Sequence, residues 1–178
     1  MKISLTKPQL KVSSSQARFR VLISGRRFGK TYLAVTEMMK YASQPNRKIW
    51  YVAPTFKMAK EIVWGTLKEM LNLFNWIEDI NETTMTITIR KTNSQISLKG
   101  ADNYDSLRGT GLDRLGHVLF CGTPKGYGNW SYELYLKGKQ DDDWESFQYT
   151  TIEGGIVTPE EIEQAKQDID IRTFRQEF

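Results

Sequence analysis

Cysteine and histidine are almost missing from this chain: Cys121 and His117 are the sole examples among 178 residues. One cysteine excludes a disulfide framework within the chain and suits a reducing compartment. One histidine excludes a histidine-based zinc cluster. No apolar run approaches the ~18–20 residues that a membrane-spanning helix needs. Met1 to Lys11 alternates polar and apolar residues and carries no signal-peptide core, so a secretory route is not expected. Acid is scarce at the start: residues 1–60 hold only Glu37 against 13 Lys and Arg, a charge of +12. Residues 61–178 reverse this, with 12 basic and 20 acidic residues, which brings the net charge to +4.

What is present describes an ordinary globular protein. Hydrophobic residues make up 39% and charged residues 26%, which argues against disorder. The length fits one domain that buries a core without disulfides or metal staples. The basic first third points to a polyanionic ligand, either nucleotide phosphate or nucleic acid. A solvated basic face is the competing reading.

The hydrophobic pattern predicts an α/β order. Phe19-Arg20-Val21-Leu22-Ile23 reads as a buried strand, Tyr32 to Ala42 as a helix, and Lys48 to Ala53 as a second strand closed by Pro54. From Thr55 to Phe74, Phe56, Ala59, Val63, Leu67, Met70, Leu71 and Phe74 form one helical stripe, the signature of core packing. Thr84 to Arg90 and Gln95 to Lys99 alternate about Lys91-Thr92-Asn93-Ser94, a β-hairpin pattern. His117 to Cys121 predicts a third core strand, Trp130 to Leu136 a short helix and Phe147 to Ile152 a strand. Thr158-Pro159-Glu160-Glu161 is a helix start with a Thr cap, Pro at the first position and Glu at the capping-box position. That helix is expected to reach Asp168, with another over Ile171 to Phe178.

The strongest motif is Ser24-Gly25-Arg26-Arg27-Phe28-Gly29-Lys30-Thr31, set between the first strand and the first predicted helix. Strand, glycine loop, Gly-Lys-Thr and helix form a phosphate cradle. Glycines turn backbone N–H groups toward the anion, and the helix N-terminus adds a favourable dipole. The lysine reaches the β and γ phosphates, and the threonine hydroxyl ligates Mg²⁺. Ser24 stands where the strict pattern G-x-x-x-x-G-K-[ST] has its first glycine, and Gly25 follows it. Gly25, Arg26, Arg27, Gly29, Lys30 and Thr31 are therefore the candidate nucleotide contacts, with Thr31 also the metal ligand. Arg26 and Arg27 add charge that the loop does not require. One such arginine can stabilise the γ-phosphate in cis, while general surface basicity is the plainer account.

The 24–31 loop resembles the Walker A loop of the large terminase subunits of tailed bacteriophages, the genome-packaging motors. Other segments resemble that family in the family's order. Lys7-Pro8-Gln9 is similar to its adenine-contacting segment, and Trp50-Tyr51-Val52-Ala53-Pro54-Thr55 to the strand and turn after its first helix. Leu107-Arg108-Gly109 resembles the motif preceding Walker B, and Leu119 to Gly126, with Gly122-Thr123-Pro124-Lys125-Gly126, its coupling motif. Phe174-Arg175-Gln176-Glu177-Phe178 resembles the segment leaving the ATPase domain. The resemblance implies an α/β P-loop NTPase sheet with flanking helices, ATP and Mg²⁺ as cofactors, and an ATPase that drives DNA translocation into a procapsid. It implies that Gln9 contacts adenine, Arg26 is the cis arginine, Thr123 senses the γ-phosphate and Arg108 acts on a neighbouring subunit's nucleotide. Implied partners are double-stranded viral DNA, the terminase small subunit, the portal protein and further copies in a ring. The implied setting is the cytoplasm of an infected bacterial host, with transient docking at the procapsid portal.

Two departures stand against the family pattern. Hydrolysis in this fold needs an apolar strand ending in Asp-Glu, the Asp supporting Mg²⁺ and the Glu orienting water. Trp76-Ile77-Glu78-Asp79 has the reverse order, and Asp141-Asp142-Asp143 has no apolar run before it. Only 12 residues, Thr110 to Cys121, separate Leu107-Arg108-Gly109 from Gly122-Thr123-Pro124, room for one strand. Gly111-Leu112-Asp113 and Asp113-Arg114-Leu115-Gly116 look like two separate family segments joined near residue 113. The expectation is an incomplete sheet without the Walker B segment, residues 1–178 as a single ATPase-like domain, and no RNase H-like nuclease domain after it. Hydrolysis in this form is doubtful on that ground. The competing functions are another P-loop helicase or translocase fragment, and a non-catalytic DNA-binding or assembly remnant.

Overall fold

The computed structural model describes residues 3–103, 107, 116–124 and 129–178, apart from the Gln176 side chain. Arg108, the apparent junction near 113, Lys125 and Gly126 lie outside the described residues. The chain divides into two compact units, one of Ser4–Leu33 with Leu115–Phe178 and one of Met1–Ile3 with Ala34–Arg114.

The first unit carries the phosphate-loop motif. Its helix α1 (Lys7–Ser14) precedes strand β1 (Phe19–Ser24), which runs into the loop before helix α2 (Lys30–Ala42). In the second unit, strand β2 (Lys48–Ala53) leads to helix α3 (Phe56–Ala59), a π-helical turn (Lys60–Trp64) and helix α4 (Gly65–Leu73). Strands β3 (Ile77–Asn81), β4 (Thr86–Ile89) and β5 (Gln95–Gly100) follow. The chain returns to the first unit with strand β6 (Val118–Gly122), helix α5 (Trp130–Lys137) and strand β7 (Trp144–Tyr149). Helices α6 (Thr151–Gly154), α7 (Pro159–Asp168) and α8 (Ile171–Glu177) complete it.

In the first unit β1 is the central strand, paired in parallel with β6 on one side and β7 on the other. A central parallel strand is covered on both faces, which explains the continuous apolar run Val21-Leu22-Ile23. Leu22, Phe28, Leu33, Val12 and Phe147 form the core, with Leu5, Leu119 and Tyr149 packed against it. Trp144 stacks on Phe19 at 4.6 Å and on Phe120 at 5.8 Å between ring centroids, tying the three strands along one face. Arg20 is buried on β1 and donates from Nη1 to the Val12 carbonyl at 3.1 Å. Arg18 donates to the Gly116 carbonyl. These two early arginines serve the fold, so the basic first third is not all ligand surface.

The second unit holds a mixed sheet in the order β2-β5-β4-β3. The predicted hairpin is the antiparallel β4–β5 pair, and β2 lies parallel to β5. Ala59, Val63, Leu67 and Leu71 of the predicted stripe are fully buried, as are Ile87, Ile89, Ile96 and Leu98 of the sheet. Phe56 departs from the stripe, being 39% exposed. Trp64 and Lys68 both hydrogen-bond the Glu82 carboxylate, at 2.9 and 2.8 Å. The Lys68 hydrogen bond first, then that of Trp64, holds the Glu82 carboxyl below its usual range.

The α/β class is borne out, and several elements differ from expectation. The last predicted strand starts three residues earlier, at Trp144, and ends at Tyr149. Thr150 caps α6, with Glu153 returning its carboxylate to the Thr150 N–H, and this capping box turns the chain out of the sheet. The segment Ile77–Asn81 is a strand antiparallel to β4. Lys7–Ser14 is a helix, started by Pro8 and by the Gln9 side chain accepting from the Thr6 N–H at 3.0 Å.

Candidate nucleotide site

β1 ends at Ser24 and α2 begins at Lys30, so five residues, Gly25 to Gly29, make the loop. Their geometry explains the residue types. Gly29 has φ of 83°, and a Cβ there would stand 2.6 Å from Gln9 Nε2. Arg27 also takes a left-handed φ, 57°. Gly25 is packed so closely that a Cβ would meet Thr151 Oγ1. Phe28 is fully buried and stacks on Tyr149 at 5.5 Å, anchoring the middle of the loop in the core. The motif pattern assigns Phe28 no role, although an apolar residue between charged loop residues is the available signal.

Backbone donors remain where an anion would sit. Among the described residues, no partner takes the N–H groups of Arg27, Phe28, Gly29, Lys30 or Thr31. The first N–H groups of α2 face the same opening by helix geometry. The Lys30 ammonium donates to the Ser24 carbonyl at 2.9 Å and the Gly25 carbonyl at 2.7 Å. Burial pushes Lys30 below the ordinary lysine range; the Cys121 thiol opposes that shift, and Arg26 adds to it. Thr31 is half-buried in the first turn of α2. Arg26 and Arg27 are exposed, with Arg26 ion-paired to Glu177 at 2.6 Å and Arg27 to Glu161 at 3.1 Å.

The other expected site residues divide into those gathered here and those outside view. Register places Gly122 beside Ile23, so Thr123 follows β6 next to the start of the loop. Gln9 is buried, and its Nε2 donates to the Phe28 carbonyl at 3.0 Å and the Gly29 carbonyl at 3.5 Å. It braces the underside of the loop. Gln9→Ala is expected to cost about 1–3 kcal/mol of stability, because the Phe28 carbonyl loses its buried partner. Urea denaturation of both proteins measures the difference. Arg108 lies outside the described residues. The sequence gives no hint of Glu177 as a neighbour of Arg26, since 150 positions separate them.

A metal at this loop would take the Thr31 hydroxyl as its protein oxygen. Among the described residues, no group of three or more His, Cys, Asp or Glu side chains gathers to hold a metal ion. Mg²⁺ commonly keeps few protein ligands and fills its shell with phosphate and water oxygens. The loop fits that pattern on the threonine side.

No protein-family profile matches the chain. The large terminase subunit of Escherichia phage T5 is 25% identical over 191 residues, covering 90% of this chain and 43% of that protein. That of Thermus virus P23-45 is 28% identical over 174 residues, covering 73% of this chain and 36% of the relative. The chain therefore spans less than half the length of these relatives. The ATPase domain of the Thermus phage P74-26 large terminase superposes with a TM-score of 0.81 at 24% identity, covering 98% of this chain and 92% of that domain. The large terminase of another thermophilic bacteriophage, in complex with ADP, superposes with a TM-score of 0.84 at 16% identity, over 98% of this chain and 52% of that one. The resemblance read from the phosphate loop thus extends over nearly the whole chain: its sequence relatives are phage terminase large subunits, and its fold is that of their ATPase domain.

Proposed function

We propose that this chain is the nucleotide-binding region of a viral DNA-packaging motor and binds ATP with Mg²⁺ at the Gly25–Thr31 loop. The observation that carries this reading is the loop itself: the Lys30 ammonium sits on the Ser24 and Gly25 carbonyls, and in the same loop the N–H groups of Arg27 to Thr31 have no partner among the described residues. The thermophilic-phage terminase solved with ADP was also solved with ATP-γ-S, which supports nucleotide as the anion. Lys30 holds the β and γ phosphates, Thr31 supplies an oxygen to Mg²⁺, and Gly25, Arg27 and Gly29 shape the cradle. Arg26 serves the γ-phosphate in cis, Gln9 supports the base side, Thr123 senses the γ-phosphate from the end of β6, and Arg108 reaches a neighbouring subunit. When bound, Mg²⁺ would neutralise phosphate charge. Residues 1–178 act as a single ATPase-like domain with an internal junction near 113.

The wider setting follows from what the relatives are. Double-stranded viral DNA, the small terminase subunit, the portal protein and a ring of copies are the partners, in the cytoplasm of an infected bacterium. Among the described residues, no helix is long and apolar enough to cross a membrane. The test is titration calorimetry of the folded protein with ATP-γ-S and with ADP, in the presence of Mg²⁺. Saturable one-to-one binding is expected. Folded protein that binds neither nucleotide overturns the reading.

A further inference from the structure

The Phe174–Phe178 segment has no assigned task in the nucleotide site, yet it closes on the loop. α8 begins at an Asp170 cap, whose side chain accepts from the Arg172 and Thr173 N–H groups, and ends at Glu177. From there both the backbone and the side chain of Glu177 engage Arg26. The Arg26 N–H donates to the Glu177 carbonyl at 2.5 Å, and the Glu177 carboxylate meets Arg26 Nε at 2.6 Å. Thr151 completes the grip: its Oγ1 donates to the Arg26 carbonyl at 2.7 Å, and its N–H donates to the Phe178 carbonyl at 2.9 Å. The approach is close enough that a Cβ on Gly25 would stand 3.0 Å from the Glu177 carbonyl.

The two partners differ in exposure. The Glu177 side chain is 19% exposed, while that of Arg26 is 62% exposed. The carboxylate is therefore the fixed member, and the guanidinium projects from it. The ion pair runs through Nε, and among the described residues no hydrogen-bond acceptor takes either Nη. A guanidinium fixed at Nε keeps its two Nη groups for a bidentate contact with phosphate oxygens. Its orientation is then set before ligand arrives, which lowers the entropy lost on binding.

We infer that Glu177 is a positioning residue that aims Arg26 at the terminal phosphate, so that the loop favours ATP over ADP. This rests on the reading of the Gly25–Thr31 loop as a nucleotide site. A role in holding the fold alone would weaken both nucleotides alike, because both use Lys30 and the loop N–H groups. A role in aiming Arg26 weakens only the nucleotide that has a γ-phosphate.

The experiment compares ATP-γ-S and ADP dissociation constants for the unaltered protein, Glu177→Gln, Arg26→Ala and the double variant, each checked by thermal unfolding. Glu177→Gln is expected to weaken ATP-γ-S roughly tenfold, the worth of one charge-assisted hydrogen bond, and to leave ADP within about twofold. In the Arg26→Ala background it is expected to change neither constant. Arg26→Lys provides the second route, with Glu177 intact: lysine keeps the charge but has no Nε–Nη fork, and the preference for ATP-γ-S is expected to fall as in Glu177→Gln. Equal losses for both nucleotides, no loss, additive effects in the double variant, or full preference in Arg26→Lys would each overturn the inference. Nucleotide binding by the unaltered protein without this selectivity pattern removes the role of Glu177 alone. Binding of neither nucleotide removes the site itself.

Discussion

Lys30→Ala is expected to weaken ATP-γ-S and ADP by at least about a hundredfold, taking binding to the limit of calorimetric detection. Charge, position and desolvation combine at this residue. The ammonium is anchored on the Ser24 and Gly25 carbonyls, so it stands at the mouth of the loop before any ligand arrives. Partial burial removes much of the water that would screen it, and a charge contact strengthens as the local dielectric falls. The same burial pushes its pKa below the usual lysine range. The sign of the pH effect follows. In the free protein, Lys30 is charged below its lowered pKa and neutral above it, and phosphate binds the charged form. Nucleotide affinity should therefore decline as pH rises through that lowered pKa. Lys30→Arg should flatten the alkaline decline even where its absolute affinity is lower, because a guanidinium stays protonated throughout. Calorimetry between neutral pH and the ordinary lysine range measures this. Unchanged affinity in Lys30→Ala would show that the loop N–H groups alone hold the phosphate.

Which parts of this site are legible in the sequence depends on how local their determinants are. The cradle is legible because its chemistry is contiguous: β1 delivers the chain to Gly25, Gly29 permits the left-handed turn, and Lys30 opens α2. β6 is legible as an apolar run, and its partnership with β1 puts Thr123 beside the loop. β3 escapes notice because Ile77-Glu78-Asp79-Ile80-Asn81 carries two acids and lacks clean alternation. Its pairing with β4 comes from tertiary context, which overrides weak strand propensity. α1 escapes too, though Thr6, Pro8 and Gln9 carry a start signal of the kind read at Thr158. The end of β7 is displaced from expectation because Thr150 and Glu153 form a capping box inside an apolar stretch. Glu177 against Arg26, and Gln9 under Phe28, are out of reach of sequence reasoning because long-range closure of the chain makes both contacts.

Inserting a strand that ends in Asp-Glu between residue 113 and β6 is expected to raise ATP turnover by at least about a hundredfold over the parent chain, the scale on which a positioned acid or base acts. Phosphate release should sit near background in the parent. Two acids that the sequence offers in clusters are engaged elsewhere: Glu78 on β3 pairs with Arg90 at 3.2 Å, and Asp141 accepts from the Asp143 N–H in a turn. The fold itself marks where a strand is wanted. β6 is apolar and parallel, yet Val118 is 37% exposed and Cys121 is exposed, and among the described residues it pairs only with β1. In the other unit, β2 is likewise an apolar parallel edge strand, with Val52 46% exposed. Parallel strands of this composition are normally covered on both faces and paired at both edges. The added Glu should orient water against the phosphate held by Lys30. Changing that single Glu to Gln must return turnover to background while nucleotide affinity stays, which separates chemistry from repair of the sheet. Rapid turnover by the parent chain would instead show that another acid already serves the site.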